Sequence, residues 1–181
     1  MRLRINFFGI MASALLFYLG LSGKPWWILV GGSSGERTFE VLVSPFSYHV
    51  ELLDRPLTVP IIPYLLLSAK LSILLAATTT LIGSILADKP WSGPMISVKG
   101  MVFPVIFLVG LYVTVLLAGY LGFRIQMFGD FVLEYSIKVS GLELLTETPG
   151  RAEITVEYWI AVAAGLLSVV AKLAHRSAGK G

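Results

Sequence analysis

Residues 101–123, MVFPVIFLVGLYVTVLLAGYLGF, contain no charged side chain, and they decide the class of fold. A helix of about 20 apolar residues is long enough to span the hydrocarbon core of a bilayer. Backbone groups cannot stay unpaired in lipid, so a helix is the expected conformation of such a stretch. The sequence therefore predicts a membrane protein with a transmembrane helix at residues 101–123.

The composition of the whole chain agrees with this prediction. The 181 residues are 56% hydrophobic and 14% charged, with a mean hydropathy of +0.82. Soluble domains are about half apolar and about a quarter charged. The chain has no cysteine, which excludes disulfides, thiolate metal sites and cysteine nucleophiles. Asn6 and Gln126 are the only side-chain amides, and scarce amides are typical of heat-adapted proteins, although apolar helices also use few.

Three further apolar stretches predict transmembrane helices at residues 1–22, 63–87 and 158–174. The first begins with basic residues as a signal peptide does, but no convincing cleavage site follows, so we expect it to be retained. The last has only 14 uncharged residues before Lys172, which is short for a span. A lysine side chain can extend along the helix to the headgroups, so residues 158–174 remain a predicted span. Tyr158 and Trp159 would then lie at the outer interface.

The charge distribution orients the four predicted spans. The N-terminus, the 88–100 loop and the C-terminal end from Lys172 contain seven basic residues and one acidic residue, a net charge of +6. Segments 23–62 and 124–157 contain six basic and ten acidic residues, a net charge of −4. Cytoplasmic segments next to spans are enriched in Lys and Arg. We therefore expect a multi-pass protein of the cell membrane with the 88–100 loop, both termini and the tail 175–181 in the cytoplasm.

Both external segments show the period of two that is typical of strands with one buried face. Residues 39–43 and 48–52 flank a turn signal at 44–47, and residues 131–139 alternate most regularly. The pattern also predicts strands at 124–128, 142–145 and 152–156. It predicts a turn at 148–151 and a flexible glycine-rich loop at 31–35. The predicted fold is an α+β membrane protein, a four-transmembrane-helix bundle with a small extracytoplasmic antiparallel sheet in which the two loops pair with each other.

The apolar face of this sheet needs a cover. It is predicted to rest on helix ends, on Trp26 and Trp27, or on a protein partner, and unpaired sheet edges are natural docking sites. The candidate interface residues are Trp26, Trp27, Tyr135, Ile137 and Val139.

This outline resembles the claudin-type four-helix proteins of animal cell junctions. The resemblance rests on four helices, a sheet built from two outside loops, and Pro25-Trp26-Trp27 after the first helix. The Gly-Leu-Trp motif with paired cysteines is absent, and the strands here lie more in the second loop. The resemblance concerns architecture, and architecture alone does not give function.

Lys70 is the one ionisable residue well inside a predicted span, which makes it a candidate functional residue. It lies about 10 Å from the predicted start of its helix, a distance that a lysine side chain can largely cover, so it can equally extend to the headgroups. We predict no metal, cofactor or catalytic set. His49 and His175 fall on opposite sides of the membrane, and the external acids do not form a compact calcium loop.

The sequence therefore favours a non-enzymatic membrane protein, either an accessory subunit of a membrane complex or a surface scaffold that acts through its sheet. Its expected partners are the lipid bilayer and a protein partner or further copies of the chain, and no nucleic acid. The alternative is a small oligomeric transporter or channel component that uses Lys70.

Overall fold

The computed structural model of the protein describes residues 5–33, 36–96, 98–139 and 142–178, with side chains at all of these except 33, 36, 134–139, 142–146 and 176–178. The fold is α+β and combines helices with a six-stranded antiparallel sheet. In chain order the elements are α1 (Phe7–Ser22), β1 (Trp27–Ser33), β2 (Glu36–Val43), β3 (Tyr48–Leu52), β4 (Arg55–Pro56), α2 (Ile62–Ile85), α3 (Ser92–Met95), α4 (Lys99–Tyr120), β5 (Gly129–Val139), β6 (Leu142–Ile154) and α5 (Val156–Ala178).

Among the described residues, three stretches are long and apolar enough to cross a membrane. They are Ile62–Ile85 of α2, Ser92–Tyr120 with α3 and α4, and Val156–His175 of α5. This property indicates that the protein is associated with a membrane. The fourth apolar helix, α1, has 16 residues and is shorter than a typical span. The stretch that looked weakest in the sequence thus forms a long helix, because α5 begins before Tyr158 and continues beyond Lys172.

The long helices pack side by side in the order α2, α1, α5 and α4, with consecutive helices of the chain running in opposite directions. Asn6 fixes one end of this arrangement. Its backbone N–H donates to the carbonyl of Ser84 on α2 at 2.9 Å, and its side-chain amide donates to the carbonyl of Ala171 on α5 at 2.8 Å. The start of α1 therefore lies beside the C-terminal ends of α2 and α5. We call this the basic end of the bundle, since Lys89, Lys99 and Lys172 also belong to it.

Small residues bring the helices close together. A Cβ atom at Gly9 would overlap the Ser84 hydroxyl, and one at Gly165 would lie 2.8 Å from the Cα of Met101. Small residues recur at a spacing of four on three of the helices, a pattern typical of close helix packing. Of these, Gly9, Ser13, Ala76, Ala161 and Gly165 are buried between helices, whereas Ser68 and Ser72 are exposed. The buried members thus serve packing within the bundle.

The sheet has the strand order β4-β3-β2-β1-β6-β5, and every neighbouring pair is antiparallel. Strands β1 to β4 come from the segment between α1 and α2, and β5 and β6 come from the segment between α4 and α5. The two segments join through β1 and β6, where Trp27 to Gly31 pair with Ile154 to Gly150. The prediction that the two segments pair with each other is confirmed.

Three local predictions were wrong. Residues 124–128 are not a strand, and β5 starts only at Gly129. The predicted turn at 148–151 lies inside the continuous strand β6, and Gly31 and Gly32 of the predicted loop lie in β1. The predicted turn at 148–151 and the predicted loop at 31–35 were wrong for the same physical reason. Gly31 and Gly150 are partners across β1 and β6, and their missing side chains leave room for the rings of Phe39 and Phe131.

Candidate functional site: the sheet and its junction with the helices

Trp26 occupies the centre of the junction between the sheet and the helices. It is fully buried, and its ring makes edge-to-face contacts with Phe46 at 5.5 Å, Phe107 at 5.3 Å and Tyr158 at 6.0 Å between ring centres. Such aromatic pairs add stabilisation beyond that of buried area. Because these rings come from the loop before β3, from α4 and from α5, Trp26 holds three parts of the chain together.

Trp27 extends the junction along the inner face of the sheet, the face turned toward the helices. It packs in one cluster with Leu29, Leu111, Phe131 and Ala152, and it donates from Nε1 to the carbonyl of Met127 at 2.9 Å. Leu111 belongs to α4, so the inner face of the sheet rests on that helix. Of the three predicted covers, the structure shows the helix and the tryptophans.

Main-chain and ionic contacts complete the junction. The N–H of Thr155 donates to the carbonyl of Trp26 at 3.0 Å, and its hydroxyl donates to the carbonyl of Pro25 at 2.7 Å. Lys24 Nζ lies 3.2 Å from Glu157 Oε1, and this hydrogen bond is the main reason why the pKa of Lys24 is raised above its ordinary value. Deprotonation of Lys24 at high pH or protonation of Glu157 at low pH would break the ion pair, so it persists at neutral pH.

Two aromatic residues differ from their predicted environment. Tyr158 is buried under Trp26, whereas Trp159 is exposed. Only Trp159 is therefore free for the interfacial position that the sequence suggested for both.

The outer face of the sheet, which points away from the helices, is polar and charged near its middle. Arg151 on β6 lies 3.4 Å from Glu153 and 4.0 Å from Asp130 on β5. A shallow cavity of about 600 Å³ opens beside these residues and is lined in part by Val30, Arg37 and Val132. It lies next to β5, which is an edge strand of the sheet.

The same face brings together side chains that can bind a metal. Glu40 on β2 and Glu51 and His49 on β3 each offer one ligand atom, and these atoms all lie within 4.8 Å of one another. No ligand role was predicted for His49. Glu51 follows it by two residues on the same strand, but Glu40 joins them only through the register of β2 with β3.

The candidate interface residues fall into two groups. Trp26 and Trp27 are buried inside the protein and join the sheet to the helices, so they present little surface to a partner. Tyr135, Ile137 and Val139 belong to β5, but their side chains lie outside the described part of the structure. Phe131 and Leu133, earlier in the same strand, pack toward Trp27 and Leu111.

Lys70 lies on α2, eight residues or about 12 Å from the first residue of that helix. It is partly buried, and no ion pair joins it to any of the side chains that the structure describes. Ile73, one turn further along, packs against Gly20 near the end of α1. Lys70 is therefore close to the sheet end of the bundle, within reach of the headgroups if the helices cross a membrane.

We expect the substitution Lys70→Met to change the free energy of unfolding by less than about 0.5 kcal/mol, because no described partner is lost. Chemical unfolding in detergent would measure this, and proteoliposomes with either form should show the same proton and potassium leak. A loss of flux in the variant would instead favour the transporter alternative.

Sequence reasoning missed the structural role of Asn6, which joins α1 to two other helices. Its position directly before an apolar helix was an available signal, since Asn is a preferred N-cap and Asn6 accepts from the N–H of Gly9. At the same end, Lys172 donates to the carbonyl of Gly93 and so attaches α3 to α5.

Comparison with known proteins adds no family to this description. The sequence matches no protein-family model, and it matches no curated protein.

Proposed function

We propose that the protein crosses the cell membrane four times, with the sheet outside and both termini in the cytoplasm. It acts there without catalysis, as an accessory subunit of a membrane complex or as a surface scaffold, and its partners dock on the sheet.

The position of α1 supports the fourth span. This helix is shorter than the others, but it packs between α2 and α5 and contributes Leu16 and Leu19 to the central core. A helix placed between two spans must lie at the same membrane depth as its neighbours. Lys24 and the basic residues before Asn6 bracket α1 and would place charges at both headgroup regions.

The two ends of the bundle support the orientation. Both segments that form the sheet leave the helices at one end, where acidic residues dominate the sequence. Lys89, Lys99 and Lys172 lie at the opposite end. Because basic residues near spans favour the cytoplasmic side, the sheet faces the other side.

The observation that carries the docking proposal is the open edge of the sheet. The order of strands leaves β5, with 11 residues, paired only with β6 among the described elements. The inner face is covered by α4, so a partner meets the edge or the outer face. A long unpaired edge strand binds an added strand through its main chain, and the neighbouring cavity can receive side chains.

Extraction of the protein from its native membranes in mild detergent, followed by mass spectrometry, tests this proposal. A photo-crosslinking residue at Val132, which is half-exposed on β5, should capture a stoichiometric partner. The matched control is the same residue at Leu65, which is exposed on α2 and would face lipid.

Capture from Val132 and not from Leu65 would support docking on the sheet. Capture only from Leu65 would move the interface to the helices. A chain that elutes alone and forms no crosslink from either position would contradict the subunit and scaffold roles together.

A further inference from the structure

Glu40, His49 and Glu51 form a compact group on the outer face of the sheet, separate from the edge of β5. Glu40 and Glu51 are direct register partners on β2 and β3, and His49 precedes Glu51 by two residues. Side chains two residues apart on a strand share a face. The Nε2 atom of His49 lies 3.5 Å from a carboxylate oxygen of Glu51, and all three ligand atoms fit within 4.8 Å of one another.

The two carboxylates lie opposite each other on neighbouring strands, so a cation bound between them would stabilise the folded sheet. Like charges directly opposite each other on neighbouring strands are destabilising. The side chains of Glu40 and Glu51 are only 18% and 35% exposed, so water screens their repulsion less than it would on an open surface. Arg37 lies 3.0 Å from one oxygen of Glu40 and offsets part of this charge.

The donor set suits zinc better than calcium. An imidazole nitrogen with carboxylate oxygens is a common set for Zn²⁺, with ligand distances of about 2.0–2.2 Å. In a tetrahedral site this places ligand atoms about 3.4 Å apart, close to the 3.5 Å between His49 and Glu51. All three ligand atoms lie within 4.8 Å of one another, so small side-chain rotations bring them to this spacing. Calcium takes six to eight oxygen ligands, more than two carboxylates supply.

Glu40 and Glu51 also line a small cavity of about 80 Å³, together with Arg37 and Asp54 among others but not with His49. The cavity has room for water beside the two carboxylates.

We propose that Glu40, His49 and Glu51 bind one Zn²⁺ ion between β2 and β3. The ion links two neighbouring strands of a sheet that has no disulfide, since the chain has no cysteine. This site does not depend on the docking role of β5.

Titration of the full-length, untagged protein in detergent with ZnCl₂, after removal of bound metal with EDTA, tests the site. Calorimetry should show saturable binding of one Zn²⁺ per chain. His49→Ala and Glu51→Gln should each weaken that binding by about tenfold or more. Both changes are at partly exposed positions, and Glu51→Gln keeps the shape of the side chain. Zn²⁺ should also raise the unfolding temperature of the unchanged protein and not that of His49→Ala, because an ion that binds only the folded state stabilises it.

The matched control is His175→Ala, because His175 is the other histidine of the chain and lies beside Gly93 at the basic end. This variant should bind Zn²⁺ as the unchanged protein does. The proposal is overturned if no stoichiometric binding occurs, if His49→Ala binds normally, or if CaCl₂ saturates the site and ZnCl₂ does not.

Discussion

Replacement of Trp26 by alanine should lower the free energy of unfolding by about 3–5 kcal/mol, the usual cost of deleting a fully buried large aromatic side chain. Trp26 has no exposed surface, and it contacts rings from the loop before β3, from α4 and from α5. Its loss leaves a cavity at the point where the sheet meets the helices, so the sheet should loosen before the helices do.

Denaturant unfolding in detergent, followed by far-UV circular dichroism and by tryptophan fluorescence, would measure this effect. The matched control is Trp159→Ala, which removes the same side chain from an exposed position on α5. We expect that control to cost less than about 1 kcal/mol. Equal losses in the two variants would show that Trp26 does not hold the sheet to the helices.

The second large effect is expected at Gly165, where α5 lies close to the backbone of α4. A Cβ atom there would lie 2.8 Å from the Cα of Met101, which is backbone and cannot rotate away. Gly165→Leu therefore has to push the two helices apart, and overpacking of this kind typically costs about 1–3 kcal/mol and sometimes more. The sheet rests on α4, so displacement of that helix should also disturb the cluster around Trp27.

Gly110→Leu on α4 is the matched control, because a Cβ atom at Gly110 meets no atom within 4 Å. Leucine favours a helix over glycine by about 0.5–1 kcal/mol, so this variant should be neutral or slightly stabilised. Thermal unfolding in detergent and the yield of folded protein would compare the two. A neutral Gly165→Leu would mean that α4 and α5 are not in direct contact at this level.

Composition and periodicity were enough to predict much of the architecture. A bilayer removes the need to cover apolar side chains with charge, so long uncharged runs such as 101–123 indicate helices without any tertiary information. The alternation along residues 131–139 likewise records a strand with one covered face. These features are local or periodic, and the structure has α4 and β5 at the corresponding places.

The candidate sites were less accessible to sequence reasoning, because they depend on which strands become neighbours. Glu40 and Glu51 are separated along the chain, and only the pairing of β2 with β3 places them opposite each other beside His49. Register is set by packing of the whole face, which no short window of sequence contains.

The sequence by itself determined the class of protein. It did so through long uncharged stretches, basic residues at one end of them and two segments with strand periodicity. Only the tertiary structure decided the structural role of two glycines. Gly31 reads locally as a flexible loop and Gly150 as part of a turn, yet they pair with each other in the middle of the sheet. Glycine permits turns, but it also leaves space above a strand. The rings of Phe39 and Phe131 fill that space, and their packing overrides the local preference of the chain.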